Sequence, residues 1–254
     1  MKQKRFLSII ICLVMGFVLF GCSSRFKGSG PVTIYYKSIA QFELINSRGT
    51  RVLIDVRHPE ALSSPPTKKD VLLTTHYHAT HYLLSFMKSF PGSQLKVKTG
   101  ELKMEDAYIR SIASVHSEGF EMKPENGTNY IFIVDIGGLR IVHFGDIGQD
   151  ALTPEQLEAL GKVDIAFISL IFIYSEMDSI NRKAFNLIEQ IKPRLIIPTH
   201  VDEVIGAKIA ADKWVAYNSY KKSITISQKN LPDKTTIIFM DRNANLIKLP
   251  TSNL

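Results

Sequence analysis

The stretch Thr75-His76-Tyr77-His78-Ala79-Thr80-His81 places three of the chain's seven histidines within six residues, directly after the apolar run Val71-Leu72-Leu73. A lone histidine is more often a hydrogen-bonded residue than a ligand, but three at this spacing form a donor set. Neutral imidazole is the commonest protein ligand for zinc and related ions, and a catalytic zinc site takes three protein ligands and keeps one position open. The apolar run reads as a buried strand that empties into the histidines. On an extended segment His76 and His78 fall on one side and could share an ion. His81 opens the pattern Tyr82-Leu83-Leu84-Ser85-Phe86-Met87, read as a short helix that Thr80 would cap. A strand end and a first helical turn together make a cup for metal.

Other chemistry-bearing residues fall at similar places. Ala107 to Val115 reads as a strand ending at His116. Tyr130–Val134 and Leu139–Val142 are joined across Gly137-Gly138, a hairpin signal, and the second runs out into His143-Phe144-Gly145-Asp146. Leu195-Ile196-Ile197 ends in Pro198-Thr199-His200, so Asp70 to His76 and Arg194 to His200 are alike: an apolar strand, then Thr-His. Four strands thus end in a metal-competent side chain: His76 with His78, His116, Asp146 and His200. Loops beyond one sheet edge are where α/β folds gather their sites. His143 is expected to be a hydrogen-bonded strand residue, His58 a loop residue, and Trp214 part of core or interface. Asp55 and Asp70 flank strands and either orient ligating histidines or cap turns.

The positioning elements follow the chain. Strands are expected at Val32–Tyr36, around Phe42–Ile45 and at Arg51–Asp55, with a turn at Ser47–Thr50. Thr153 is set to cap a helix with Gln156 three residues on, Pro154 at its first position and Gly161 at its end. A strand at Asp164–Ile168, a helix from Ile180 to Ile191 and strands near Ile224–Ile226 and Thr236–Phe239 complete the reading. The polar loop Ser117 to Asn129 could border the site.

The N-terminus carries an address. Lys2, Lys4 and Arg5 precede an apolar run from Phe6 to Phe20 that is short for a membrane span and has the form of a secretory signal. Gly21-Cys22 at its end resembles a bacterial lipobox, in which a peptidase cuts before a cysteine that takes lipid. The expected organisation is a signal peptide at 1–21, a lipidated terminus at Cys22 with a flexible spacer at 22–31, and one α/β domain at 32–254. The protein is therefore expected in the cell envelope, exported and held to a membrane by its N-terminal lipid. Its two cysteines, Cys12 and Cys22, both precede the body, so no disulfide supports the fold. Losing residues 1–21 lowers the formal charge from +7 to +4. With no basic helix and no aromatic–basic interleaving, this modest surplus argues against a dedicated nucleic-acid binder, and no nucleic-acid partner is expected.

Together, His76-x-His78-x-x-His81, His116, Gly145-Asp146 and Pro198-Thr199-His200 resemble the metallo-β-lactamase superfamily. Thr75-His76, Phe144-Gly145-Asp146 and Ile197-Pro198-Thr199-His200 are closest to the branch with ascorbate-6-phosphate lactonase and the N-acyl-phosphatidylethanolamine phospholipases. The resemblance covers roughly residues 32 to 200. It implies a four-layer αββα sandwich with metal at one edge, zinc first and manganese as alternative, one or two ions. It implies His76, His78 and His116 on the first ion, His81 and His200 on the second, and Asp146 bridging, with Asp146 and His200 in the catalytic set. Paired ions polarise an ester, lactone or phosphoryl oxygen and supply a bound hydroxide. Two positions depart from the pattern. Thr80 stands where the family has an aspartate, so the second position loses a charge. Ser38-Ile39-Ala40 stands where the branch has Gly-His-Ala, which leaves the substrate open.

Two functions of different class follow: a membrane-anchored metal-dependent hydrolase of a small-molecule or lipid-like ester, lactone or phosphodiester, and a non-catalytic metal- or ligand-binding lipoprotein on the same fold. Intact ligand residues favour the first; Thr80 and Ile39 favour the second. A β-lactamase is a weaker third reading.

Overall fold

The computed structural model describes residues 29–116, 128–200, 204–240 and 250. The signal-like segment, Cys22 and most of the 117–129 loop lie outside the described residues. No helix among the described residues is long and apolar enough to cross a membrane.

Among the described residues, fourteen strands form two sheets. The first sheet contains β1 (Val32–Ser38), β2 (Gln41–Asn46), β3 (Arg51–Ile54), β4 (Val71–Thr74), β5 (Ser93–Lys96) and β13 (Ser223–Ile226), in the order β13-β1-β2-β3-β4-β5. The second contains β6 (Gly100–Lys103), β7 (Ala107–Ser114), β8 (Asn129–Ile136), β9 (Leu139–His143), β10 (Ile165–Ser169), β11 (Leu195–Thr199), β12 (Val215–Asn218) and β14 (Thr236–Phe239). Its order is β12-β14-β11-β10-β9-β8-β7-β6. The β3–β4–β5 and β9–β10–β11–β14–β12 runs are parallel, and the rest are antiparallel.

Alternation along the strands makes the layers. Val32, Ile34, Phe42, Leu44, Val52, Ile54, Val71 and Leu73 meet Ile109, Phe132, Val134, Ile141, Phe167 and Ile197 of the other sheet in one core. The Phe42 and Phe167 rings stack across it, centroids 3.9 Å apart. The intervening Leu53 and Leu72 turn outward onto Met87 of α1 (Leu84–Ser89) and Phe90. Ile131, Ile133, Val142, Ile168 and Ile196 turn outward onto α2 (Pro154–Leu160), α3 (Lys183–Ile191) and α4 (Val204–Lys213). Strands buried on both faces read as continuous apolar runs, which is why Val71-Leu72-Leu73 shows no alternation. Each large side chain so buried contributes about 1.5–3 kcal/mol. The result is the expected αββα sandwich.

Local chemistry sets several boundaries. The β8–β9 turn places Gly137 and Gly138 at φ 60° and 78°, the two positive values a two-residue hairpin needs. Thr153 and Gln156 form the expected reciprocal capping box on α2. Two helix starts differ from expectation. α1 begins at Leu84, not His81, because Thr80 Oγ1 bonds His78 Nδ1 at 2.7 Å and caps nothing. α3 begins at Lys183 because Asp178 and Asn181 hold residues 178–182 in a turn, with Arg182 left-handed.

Candidate metal centre

The cluster lies where β4, β7, β9 and β11 release the chain. Beyond Thr74 the backbone turns, His78 N–H bonding His76 O and His81 N–H bonding His78 O. This turn overrides the extended geometry expected there: His76 and His81 are buried, while His78 stands exposed at the rim. Its position still leaves His76, His78 and His81 able to bring one donor atom each within 4.8 Å of the others.

The other residues meet at Asp146, which is 1 % exposed. His81 Nε2 lies 3.1 Å from its Oδ2, and His76 and His116 Nε2 lie 3.4 Å from the same oxygen. His200 Nε2 lies 3.5 Å from Oδ1. The backbone brings Asp146 there through Gly145, whose φ is 58°. A Cβ at Gly145 would sit 2.2 Å from Asn129 Oδ1, the atom that accepts the Asp146 N–H. His76, His81, His116 and His200 are therefore brought together at Asp146, while His78 stands at the rim, within donor reach of His76 and His81.

Hydrogen bonds behind the ligands fix which nitrogen faces inward. Asp55, fully buried, accepts from the Thr75 N–H and from Thr75 Oγ1, each at 2.8 Å, and faces His81 Nδ1 at 2.8 Å. The Thr75 hydroxyl proton is thereby committed to Asp55, so His76 Nδ1, 3.0 Å from Thr75 Oγ1, must be the donor of that pair. His81 Nδ1–H likewise donates to Asp55. Both rings then turn an Nε2 toward Asp146. His200 Nδ1 sits 3.3 Å from Ser169 Oγ.

The electrostatics match. Burial alone would raise the Asp146 pKa, but contacts from His116, His76 and His81 hold it well below the carboxylate range. Burial alone would lower His81; Asp55 and Asp146 overcome it and push the ring up to about 10. Burial dominates at His76, which is lowered, and at His200, which falls to about 4. The Nε2 atoms of His76, His81 and His200 and both Asp146 oxygens are buried and lack hydrogen-bond partners. Buried polar groups are rarely left so. The neutral His76 and His200 rings bring unpaired lone pairs to the Asp146 carboxylate, and such an imidazole–carboxylate set is one that divalent ions accept. The residues fit a divalent metal.

The remaining histidines are structural. His143 is buried; its Nε2 meets Ala40 O at 2.9 Å and its Nδ1 accepts the Gly145 N–H at 2.9 Å. His58 Nδ1 pairs with Glu60 at 2.9 Å on the surface. Asp70 belongs to a separate buried network with Arg51 and Glu43. Trp214 stacks on Phe185 over the outer core. Asp55, Asn129, Ser169 and Phe172 also border the site, beyond the residues that the sequence pattern points to. The Phe172 ring lies 4.3 Å from that of His200. Placement of Asp55 just past a strand was the one available signal; the others depend on packing between distant segments.

Comparisons with known proteins bear on the fold and the family. Residues 33–200 match the family described as the beta-lactamase superfamily domain. A UPF0173 protein of Pyrococcus furiosus is 25% identical over 178 residues, spanning 62% of this chain and 78% of its own length. The chain resembles a crystal structure from Thermotoga maritima, a proposed Zn-dependent hydrolase of the metallo-beta-lactamase superfamily. The TM-score is 0.59 at 20% identity, over 82% of this chain and 99% of the other. A proposed metal-dependent hydrolase from Parabacteroides distasonis gives 0.54 at 19% identity, over 72% and 88%. Sandwich, ligand edge and a family match across most of the chain converge, and the chain belongs to the metallo-β-lactamase superfamily.

Proposed function

We propose that this chain is a metal-dependent hydrolase of an ester, lactone or phosphodiester, of the lactonase-like branch of its superfamily. The observation that carries the reading is the convergence of four imidazole Nε2 atoms on one buried, unpartnered carboxylate. His76, His78 and His116 would hold one ion, His81 and His200 a second, with Asp146 common to both. A divalent ion held there supplies Lewis-acid polarisation of a substrate oxygen and acidifies water. The chain's own groups do the rest. Asp55 and Thr75 fix the tautomers of His81 and His76. Asp146 compensates charge, and His200, neutral at pH 7, offers a lone pair as ligand or proton acceptor. The Phe172 ring shields His200 from water on one side.

The N-terminal reading carries over as part of this proposal: cleavage before Cys22, lipidation there, and residence at the envelope membrane. Gly30 lies against Gly137, and Ser47 N–H bonds Pro31 O, so the chain enters the sandwich at the β8–β9 turn. The cluster lies at the other end of β1, where His200 N–H meets Ile39 O. A lipid on Cys22 would hold the end opposite the site. Mass spectrometry of the mature N-terminus tests the anchor.

Thr80 favours a second reading, a binding scaffold without turnover, since its neutral hydroxyl is turned onto His78. Hydrolysis of aryl esters, lactones and a bis-aryl phosphodiester by the zinc- or manganese-loaded chain, compared with Asp146→Asn, separates the two. Turnover by the parent chain that Asp146→Asn abolishes supports the hydrolase; turnover by neither supports the scaffold.

A further inference from the structure

Six of the eight exposed large hydrophobic residues among the described residues lie on segments that leave the sheets at the metal centre. They are Tyr77 and Leu84 after β4, Ile173, Tyr174 and Ile180 after β10, and Ile205 at the start of α4. Ile173 is 64 % exposed and Tyr174 73 %. Scattered single apolar residues need no explanation, but a concentration at one rim does.

The Phe172–Tyr174 turn is the part of this set in contact with the cluster, and it is held in place. Phe172 packs on His200 at 4.3 Å and lies 6.5 Å from His116; Tyr174 meets Phe172 edge-on at 5.5 Å. The turn is closed by Phe172 N–H to Met177 O and Met177 N–H to Phe172 O, at 2.9 and 3.1 Å. Ser175 Oγ donates to Asp146 O at 3.0 Å, which ties the turn to the carboxylate's own backbone. An apolar wall so fixed lies beside whatever bond is positioned over the ligands.

We propose that Phe172, Ile173 and Tyr174 form the specificity wall of the metal centre, so that the site selects substrates bearing an apolar acyl or aryl group next to the hydrolysed bond. This rests on the hydrolase reading for its chemistry but not for its binding. A substrate group, rather than the anchoring membrane, is the occupant because the wall starts on a ligand imidazole and the chain's N-terminal segment enters at the far end of the sandwich.

The test compares p-nitrophenyl butyrate with p-nitrophenyl acetate on the zinc-loaded full chain, and calorimetric binding of hexanoate with acetate, for the parent and Ile173→Ser/Tyr174→Ser. Both positions are exposed, so the variant should fold; Phe172→Ala serves as a second variant. Each methylene buried against the wall is worth about two- to fourfold. The expected kcat/KM ratio is about 5–15 in favour of butyrate. It should fall below about twofold in the variant with metal content unchanged, and the hexanoate preference should vanish with it. Ester turnover with no chain-length preference would overturn the wall and leave the hydrolase standing. A hexanoate preference lost in the variant, without ester turnover, would sustain the wall and remove the esterase chemistry. Loss of binding to phosphatidylcholine vesicles in the variant, with both preferences intact, would overturn the proposal in favour of a membrane contact.

Discussion

Asp55→Asn tests the link between the buried network and the metal site. Asp55 carries three interactions at 2.8 Å: the Thr75 N–H, the Thr75 hydroxyl and His81 Nδ1. Alanine there would strand three buried donors at about 1–3 kcal/mol each, a large share of a total stability of about 5–15 kcal/mol. Asparagine is isosteric and keeps an acceptor for the Thr75 N–H. Its amide nitrogen, however, replaces the oxygen facing His81 and must donate to Nδ1. The neutral His81 ring then carries its proton on Nε2, the atom 3.1 Å from Asp146 Oδ2, and that lone pair is lost to a metal. The expected cost is about 1–3 kcal/mol in metal-free stability and about 10–100-fold in affinity for the zinc that His81 and His200 hold. Urea denaturation, chelator competition and nitrogen-detected imidazole NMR read the three quantities separately. A folded Asp55→Asn protein with the inverted tautomer and undiminished zinc affinity would refute the reasoning.

Other consequences follow from the same geometry. His81, pushed up to about 10, is protonated in the metal-free protein at pH 8 and must be neutral to ligate, whereas His76 and His200 are already neutral. Calorimetry in buffers of different ionisation enthalpy should therefore find about one proton released with the ion that His81 and His200 hold, with the apparent affinity of that position rising about tenfold per pH unit between 7 and 9; pH-independent binding there would contradict it. Gly145→Ala should destabilise the fold by about 2–4 kcal/mol in urea, since its Cβ would strike Asn129 at a left-handed φ. Arg51→Ala should cost about 3–5 kcal/mol, because Glu43 and Asp70 would stay buried without their shared guanidinium.

The sandwich was legible because its strands are apolar runs that end in turn chemistry, and the site because its ligands sit at those ends. Thr-His at the ends of β4 and β11 brings two strands from different sheets to one edge, which local sequence alone suggests but cannot place. α1 starts three residues later than the pattern from His81 suggests because Thr80 has two competing uses for its hydroxyl, and the bond to His78 wins. α4 gave no stripe: Ile205 is exposed, Ala207 and Ala210 are buried, and Gly206 sits where a Cβ would crowd Ile171. Asp55 was visible only as a carboxylate past a strand. Its left-handed backbone, φ 50°, is what turns it under Thr75 and His81, and no residue pattern announces that.

Metal content per chain tests the central claim most directly. The purified chain and Asp146→Ala would be loaded with zinc, passed through gel filtration and measured by elemental analysis. The account predicts one tightly held ion per parent chain, with a second weaker because Thr80 adds no charge, and none in the variant. A folded parent chain that retains no ion after zinc or manganese, or an Asp146→Ala protein that binds as the parent does, would contradict it.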